Sequence, residues 1–505
     1  MTHTQASATR SEKAVATGRS DGSDELATHT ASELQGLLAD RHCKAIDIAE
    51  AVLRRIDLHN PSLNALVQVD PDTIRAQARA ADDRIAAGET GALLGIPVSI
   101  KDTLWIKGQV TTAGSDLYRY FVAPEDAPVV ARLRAAGAVI LGASNCSEFA
   151  CRGVTENRVY GRTSNPWNTA LTPGGSSGGA ASATAAGLGC LGIGTDAGGS
   201  VRRPAAHTGL VGMKPSAGRI AHAGGFDEPV YGHSVIGLMA RSVADITSAM
   251  SVLSGPDVLD PQSVALPCFA PTTRRPLRLG FSPRLGRGFA VDPDVAVSIA
   301  AIAEKLSKAG HHVELCDPDW PDGAEEDALM PLQFAGLAAI YGHAYQDRAW
   351  QPDPDIARQI EAGLALDGVA VSSALELRKA LFLSLARVFE QFDLLITPTT
   401  PVTAWPKDRP EPEKIEGRPA GPRGHAAFTP IFNHCFVPAC SVPCGLDAVG
   451  LPIGLQIVGP IHADPMVLAL ATEVEKLISD QGQHNFSSAL DPRGGLSKDV
   501  MNVCA

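Results

Sequence analysis

Apolar runs of strand length alternate with segments of helical pattern along most of the chain, and this alternation limits the fold more than any other feature. It is typical of an α/β architecture, so we predict a mixed β-sheet with helices packed against it. The predicted strands are Ile96–Ile100, Ala138–Gly142, Leu188–Gly194, Leu277–Phe281, Val313–Cys316, Leu394–Thr397 and Ile453–Val458.

The helices are predicted from the signals at their ends. Thr30–Glu33 has the capping-box pattern and Asp47–Glu50 resembles it, which predicts two helices over roughly residues 31–57. Asp126–Ala136 has a helical pattern and is followed by a glycine. Asp292–Gly310 begins with a cap and a proline and ends with a stop signal.

The remaining segments differ in composition. Residues 320–392 are mostly helical in pattern and are predicted to form a cap over the sheet. Pro401–Pro430 is rich in proline, glycine and charge, which predicts a long surface loop. The polar residues 1–27 read as a disordered arm and residues 481–505 as a polar tail. For Gly224–His233 two interpretations stay open, a plain surface loop or a loop that shapes the entrance of a site.

Charge and cysteine content exclude several classes of function. The net charge is −12 and no basic block stands out, which argues against a nucleic-acid partner. The ten cysteines follow no regular spacing, so a disulfide framework is not expected. The most apolar helical stretch, Ala328–Tyr345, contains Gln333 and His343 and fits a buried helix better than a membrane span. We therefore expect a soluble, cytoplasmic protein with reduced cysteines and no membrane partner.

Two glycine-flanked serine clusters are the candidate chemistry-bearing motifs. Gly174–Gly179 reads GGSSGG, and it is neither a Walker phosphate loop nor a linker, since apolar segments flank it. It matches G-x-S-x-G centred on Ser177, but no strand precedes it and no later histidine lies in a recognisable context. Gly194–Ser200 reads GTDAGGS, whose glycines would let backbone N–H groups converge as an oxyanion hole needs. A tight strand-to-helix turn is the alternative.

A lysine offers a base for a serine that has no histidine partner. Lys101 ends the apolar run Pro97-Val-Ser-Ile-Lys. At the end of a buried strand, desolvation would disfavour the ammonium and lower its pKa. A surface lysine is the alternative.

Taken together, Lys101, Ser176 and Ser200 in these contexts closely resemble the amidase signature family. The resemblance covers roughly residues 28–478, and we assign residues 28–480 to this domain, with a variable, mostly helical insert at about 255–390. Further matching segments are Thr111–Ser115, Ser144–Phe149, Tyr160–Trp167, Gly209–Pro215, Arg241–Asp245, Asp393–Pro398 and Gly450–Val458. The resemblance implies a large, mixed, twisted sheet surrounded by helices, with a helical cap.

The resemblance also implies a mechanism. Ser200 is expected to be the nucleophile that forms an acyl-enzyme, Ser176 the proton relay after a non-proline cis peptide at Gly175, and neutral Lys101 the base. It implies an oxyanion hole and supporting residues, but no metal and no cofactor. The expected oxyanion donors are the N–H groups of Ala197, Gly198, Gly199 and Ser200. The expected supporting residues are Gly175, Ser177, Asp196 and Arg202.

Two positions depart from the family and bear on specificity. Many relatives have Thr or Ile where this chain has Ala197, and relatives often have Gly where it has Phe436. Phe436 is either core or part of the substrate pocket, and Cys146, in a segment that often approaches the substrate in relatives, is a second pocket candidate. The spacing of Cys435, Cys440 and Cys444 is not that of a zinc site, and buried thiols are expected there.

The resemblance implies a stand-alone hydrolase of a small neutral carboxylic amide, an aryl or heteroaryl amide being one option, that releases the acid and ammonia or an amine. One alternative is the amidase subunit of a tRNA-dependent amidotransferase, although the segment after Lys214-Pro215 lacks the Tyr-Gly-Arg-Val-Ser-Arg pattern of such subunits. Another is an ester, carbamate or hydrazide hydrolase on the same scaffold. A binding protein that lost catalysis fits poorly with intact Lys101, Ser176 and Ser200. Dimers are frequent among relatives, so a homodimer is one option.

Overall fold

The computed structural model describes residues 25–266, 276–324 and 326–479. Residues 1–24 of the predicted arm and the whole predicted tail lie outside these ranges. Glu25–Thr28 forms a short 3-10 helix in which Ala27 is fully buried. Glu25–Ala27, which the composition assigned to the arm, therefore belong to the folded chain.

The helices and strands alternate along the described chain. The α-helices are α1 (Ala31–Ala39), α2 (Ala45–Leu63), α3 (Pro71–Ala86), α4 (Pro128–Ala135), α5 (Gly178–Ala185), α6 (Arg202–Thr208), α7 (Val243–Leu253), α8 (Pro293–Lys308), α9 (Met330–Gln346), α10 (Pro354–Leu364), α11 (Gly368–Gln391), α12 (Pro430–His434) and α13 (Asp464–Ser479). The strands are β1 (Leu66–Gln68), β2 (Pro97–Lys101), β3 (Val139–Ser144), β4 (Glu156–Asn157), β5 (Gly161–Arg162), β6 (Leu191–Asp196), β7 (Val211–Lys214), β8 (Val235–Ala240), β9 (Arg278–Phe281), β10 (His312–Leu315), β11 (Leu394–Pro398), β12 (Lys414–Ile415), β13 (Arg418–Pro419), β14 (Ala439–Leu446) and β15 (Pro452–Val458). Further 3-10 helices are Asp116–Tyr118, Glu148–Ala150, Glu326–Leu329 and Gly424–Ala426.

Eleven strands form one mixed sheet in the order β1-β3-β2-β6-β8-β7-β14-β15-β11-β9-β10. β2 is parallel to β3 and β6, and β9 is parallel to β10 and β11. The other neighbouring pairs are antiparallel. The prediction of a large mixed sheet surrounded by helices is confirmed.

All the predicted strands exist, but β1, β7, β8 and β14 were missed. Strand β14 was hidden by Pro443, since proline normally marks a loop or an edge strand. Pro443 is tolerated because β7 pairs only with Ala439–Ser441, so the missing N–H breaks no bond to that neighbour. The register also shifts between Pro443 and Gly445, where the strand bulges.

Two local predictions were wrong. Thr30 does cap α1 in a capping box with Glu33, but Asp47 does not begin α2. That helix starts at Ala45, and the Asp47 carboxylate accepts a hydrogen bond from the Lys44 N–H at 2.9 Å, as the third residue of the first turn does in a capping box.

Pro401–Pro430 is also more than a surface loop. It contains β12 and β13, and it buries the side chains of Trp405, Ile415 and Phe428. These apolar residues attach the segment to the rest of the fold, so its proline and glycine content marks turns within a packed region.

The predicted helical cap corresponds to α9, α10 and α11. Its aromatic residues pack on the segment after β3, with the rings of Phe149 and Tyr341 stacked at 3.8 Å. The insert predicted at about 255–390 also contains β9 and β10, which complete one edge of the main sheet.

Strand pairing decides where the polar residues meet. β2 and β6 are parallel neighbours, with Ile100 opposite Ile193. Because the carboxyl ends of parallel strands lie at the same edge of a sheet, Lys101 at the end of β2 lies beside Thr195 and Asp196 at the end of β6. The two serine clusters surround this edge.

Candidate active site

Lys101 is fully buried at the end of β2. Its Nζ donates hydrogen bonds to the Ser176 Oγ at 2.8 Å and to the Thr195 Oγ1 at 2.9 Å. Burial disfavours the ammonium form and lowers the pKa of Lys101. The position matches the sequence expectation of a desolvated lysine next to Ser176, whereas the contact with Thr195 was not foreseen.

Ser176 and Ser177 lie in the turn that leads into α5, and both are fully buried. The peptide bond between Gly175 and Ser176 is cis, as the resemblance implied. The flanking glycines are required by close packing, since a Cβ on Gly175 would lie 2.6 Å from the carbonyl carbon of Val154. A Cβ on Gly179 would lie 2.4 Å from the backbone nitrogen of Asn145.

Ser200 lies in the turn between β6 and α6. The Ser177 N–H donates to the Ser200 carbonyl at 3.2 Å, which joins the two serine clusters. Ser200 is 5% exposed and lines a cavity, whereas Ser176 is fully buried. Of the two serines, Ser200 is therefore the one that a ligand in this cavity can reach.

A buried ion pair fixes the turn that carries Ser200. The Arg202 guanidinium donates to the Asp196 carboxylate at 2.9 and 3.1 Å, and both side chains are fully buried. Burial opposes ionisation of Asp196, but the charge and hydrogen bonds of Arg202 outweigh it and hold the pKa of that carboxyl below its ordinary range. Asn433 and Gln456 complete the network, through the Asn433 Nδ2 to the Asp196 carbonyl at 2.7 Å and the Arg202 guanidinium to the Gln456 Oε1 at 2.7 Å.

One predicted oxyanion donor is already occupied. The Gly199 N–H donates to the Asp196 Oδ1 at 2.7 Å, so the assignment of Gly199 to the oxyanion hole was wrong. The carboxylate that anchors the turn takes this N–H for itself. Among the hydrogen bonds between described residues, none uses the N–H of Ala197, Gly198 or Ser200, and these remain the candidate donors.

Three connected cavities meet at Ser200. The Ser200 cavity, of about 40 Å³, is lined by Ala197, Gly198, Ser200, Arg203, His233, His434 and others. It shares Leu329, Arg423 and Pro430 with a second one of about 300 Å³, which we call the apolar cavity. It shares Arg152, Met330 and other residues with a third of about 580 Å³, which we call the polar cavity.

Neither substrate-pocket residue predicted from sequence lines the Ser200 cavity. Cys146 is fully buried, and the neighbouring Cys151 lines the cavity instead. Phe436 is half-buried, and the Arg378 guanidinium lies over its ring at 5.1 Å. Its φ of +61° lies in the left-handed region, which accounts for the glycine that relatives often have there.

Two buried histidines in the cavity wall were missed. The rings of His233 and His434 lie 4.2 Å apart, and both line the Ser200 cavity. Burial lowers the pKa of His434 to about 3 and that of His233 well below its ordinary value. Both are therefore neutral near pH 7. His233 belongs to Gly224–His233, so that segment reaches the site and is not a plain surface loop.

The cysteines and helices bear on metal and membrane binding. Cys435, Cys440 and Cys444 are buried thiols, and burial raises the pKa of each. In the described ranges, no three histidine, cysteine or acidic side chains form a cluster suited to a metal ion. None of the helices within these ranges is both long and apolar enough to cross a bilayer.

Sequence reasoning found the residues with strong local motifs and missed those that come from distant segments. Thr195, next to Asp196, could have been found, because it follows the same strand into the same turn. Asn433, Gln456 and His434 carry no local signal, because they reach the site only through the pairing of β14 and β15 with the centre of the sheet.

Comparison with known proteins agrees with this geometry. Residues 47–468 match the Amidase family. One glutamyl-tRNA(Gln) amidotransferase subunit, from Synechococcus sp. (strain CC9605), is 35% identical, over 85% of this chain and 92% of that one. The structure of a bacterial aryl acylamidase superposes with a TM-score of 0.84 at 28% identity, covering 91% of this chain and 98% of the other. That of 6-aminohexanoate cyclic dimer hydrolase superposes with a TM-score of 0.78 at 28% identity, covering 89% and 97%. The chain therefore belongs to the amidase signature family, whose enzymes act on carbon–nitrogen amide bonds.

Proposed function

We propose that this chain is a stand-alone amidase that hydrolyses a small neutral carboxylic amide to the acid and ammonia or an amine. The observation that carries the proposal is the hydrogen bond from the Lys101 Nζ to the Ser176 Oγ at 2.8 Å, with Ser200 in the adjoining turn. A buried lysine with a lowered pKa can be neutral and so accept a proton.

In the proposed reaction, the Ser200 Oγ attacks the carbonyl carbon while its proton passes to the Ser176 Oγ, which gives its own proton to the neutral Lys101 Nζ. The tetrahedral intermediate then loses its C–N bond, and the proton returns through Ser176 to the leaving nitrogen. Water repeats the sequence on the acyl-enzyme and releases the acid.

The oxyanion is assigned to the N–H groups of Ala197, Gly198 and Ser200. A preorganised donor of this type typically contributes about 2.7–4 kcal/mol to the barrier. Asp196, Arg202 and Ser177 act at one remove in this proposal, because they hold the turn and need not touch the substrate.

The experiment is a panel of aliphatic and aromatic amides, assayed for ammonia release by the isolated chain. We expect hydrolysis by the wild type and none by Ser200→Ala or Lys101→Ala, with the thermal unfolding transitions of all three proteins alike. An active Ser200→Ala enzyme would remove Ser200 from the role of nucleophile. Esters, carbamates and hydrazides in the same panel test the alternative bond types.

A second candidate function is the amidase subunit of a tRNA-dependent amidotransferase. The observation in its favour is that several relatives at 33–36% identity are glutamyl-tRNA(Gln) amidotransferase subunits. Against it stand the superposition on an aryl acylamidase and the absence of the Tyr-Gly-Arg-Val-Ser-Arg pattern after Pro215. Copurification of other subunits, with amide hydrolysis only in their presence, would favour this candidate over the first.

A further inference from the structure

The walls of the apolar cavity come from two segments outside the catalytic edge of the sheet. One is the stretch from β9 to α9, and the other is the segment between β11 and α12. Both lie in or next to the regions where the family resemblance is least certain, so this cavity is built by residues particular to this chain. The side chains that form its apolar surface are Leu285, Phe289, Leu329, Ile415, Ala427 and Ile431.

These walls are firmly packed. Leu285 is fully buried, and Ile415 and Leu329 are 2% and 5% exposed. Ile415 also belongs to a cluster with Val154 and Trp405, which supports it from behind. A volume of about 300 Å³ lies at the lower end of the range for small-molecule sites, and a preformed apolar wall stabilises an apolar ligand without a cost of ordering.

The cavity continues into the site. Leu329, Arg423 and Pro430 line both the apolar cavity and the Ser200 cavity. Pro430 also lies close to the oxyanion turn, since a Cβ on Gly198 would be 3.8 Å from its Cγ. A group attached to a carbonyl bound at Ser200 can therefore extend into the apolar cavity.

The charges at the junction restrict the substrate further. Arg152, Arg203 and Arg423 line the Ser200 cavity, and no aspartate or glutamate is among its described lining residues. The carboxylate of Asp353, which lies just outside, is engaged by Arg152 at 2.6 Å. An ammonium next to the bound carbonyl would therefore lie among guanidinium groups and would find no carboxylate partner in this cavity.

We propose that the apolar cavity binds an aryl or branched alkyl group of the substrate, and that the enzyme selects neutral or anionic amides against those with an ammonium group beside the carbonyl. The inference rests on the proposed amidase function and gives it a substrate class. Ala427 is a specificity-determining residue in this proposal, because its small side chain keeps the cavity open.

The test compares kcat/KM for propionamide and hydrocinnamamide, which adds a phenyl group on the acyl side, and for N-methyl and N-benzyl acetamide, which adds one on the amine side. Burial of a phenyl group predicts a gain of about ten- to a hundredfold in one of the two series. Phenylalaninamide, which adds only an α-ammonium to hydrocinnamamide, is expected to lose at least about tenfold. Equal values for all the amides would overturn the proposal.

The matched variants are Ala427→Leu, which fills the apolar cavity, and Ala301→Leu, which makes the same change on the exposed face of α8. We expect Ala427→Leu to lower the preference for the aryl amide by about tenfold, whereas Ala301→Leu keeps it. Ala290→Leu, at another wall of the same cavity, replaces Ala427→Leu if the latter lowers the unfolding temperature.

A binding measurement separates this inference from the proposed catalysis. In the Ser200→Ala background, calorimetric titration with hydrocinnamamide or N-benzyl acetamide is expected to give a dissociation constant that Ala427→Leu weakens by about tenfold. If the wild type hydrolyses no amide while this binding persists, the proposed function fails and the apolar cavity stands. If amides are hydrolysed but Ala427→Leu changes neither preference nor binding, the cavity assignment is wrong.

Discussion

At the residue scale, the site depends on two buried charged groups that are treated oppositely. Lys101 lies in a fully buried position without an ionic partner within hydrogen-bond distance among the described residues, so burial lowers its pKa. Arg202 lies equally deep, but it is paired with Asp196 and remains charged as the anchor of the turn. The lysine is thus prepared to accept a proton and the arginine to hold structure.

The first prediction concerns pH. Because the neutral form of Lys101 is the base, kcat/KM should rise with pH through a pKa below the usual value of about 10.4 and fall on acidification. Burial also shifts Asp102 upward and Lys214 downward, each to a pKa of about 7, so the rising limb needs an assignment. An ammonium ionises with a large enthalpy and a carboxyl with almost none, so a limb due to Lys101 moves to lower pH on warming.

Lys214→Met is the control for this profile, because it removes the other buried ammonium. The limb should keep its position in that variant. A profile that is flat from acidic to alkaline pH, or a limb that does not move on warming, contradicts the role of Lys101.

The second prediction concerns Asp196. Asp196→Ala leaves the Arg202 guanidinium buried without its carboxylate, so the free energy of unfolding should fall by about 3–5 kcal/mol. Urea unfolding measures this loss. Asp126→Ala, which breaks an ion pair with the half-exposed Arg134 at 2.7 Å, is the matched control and should cost much less. Equal losses in the two variants would show that the buried pair does not anchor the turn.

At the scale of elements, the position of Ser176 depends on how closely α5 approaches its neighbours. The start of α5 touches the backbone after β3 at Asn145 and the residue before β1, Ala65. Only a residue without a Cβ allows this approach at Gly179. The glycines of this cluster were explained from sequence by the cis peptide alone, and packing is the additional reason that the structure supplies.

The third prediction follows from this contact. Gly179→Ala would place a Cβ 2.4 Å from backbone atoms that cannot give way, so stability should fall by at least about 1–3 kcal/mol. Turnover should fall too, because the helix start positions Ser176. Gly36→Ala, in the exposed face of α1 with nothing within 4 Å, should instead stabilise the protein by about 0.5–1 kcal/mol. Thermal and urea unfolding distinguish the two; a harmless Gly179→Ala would refute the packing argument.

At the scale of the whole molecule, the alternation of strands and helices was sufficient to predict the α/β sheet but not its strand order. β7, β8 and β14 were missed because they are short or interrupted by glycine and proline, and they owe their strand form to neighbours far away in the chain. Lys101, Ser176 and Ser200 were predictable because each lies in a distinctive local motif. His233, His434 and the apolar cavity were not, since they arise where the helical cap and the segment before α12 come together.

The central claim is that Ser200 carries the acyl group, and mass spectrometry of acid-quenched enzyme tests it most directly. After brief reaction with an amide from the panel, peptide mapping should find the acyl mass on the peptide that contains Ser200, and Ser200→Ala should carry none. Because Lys101 is needed to form the adduct, Lys101→Ala should show none either. An acyl group on Ser176 or Ser177 instead would contradict the assignment of nucleophile and relay.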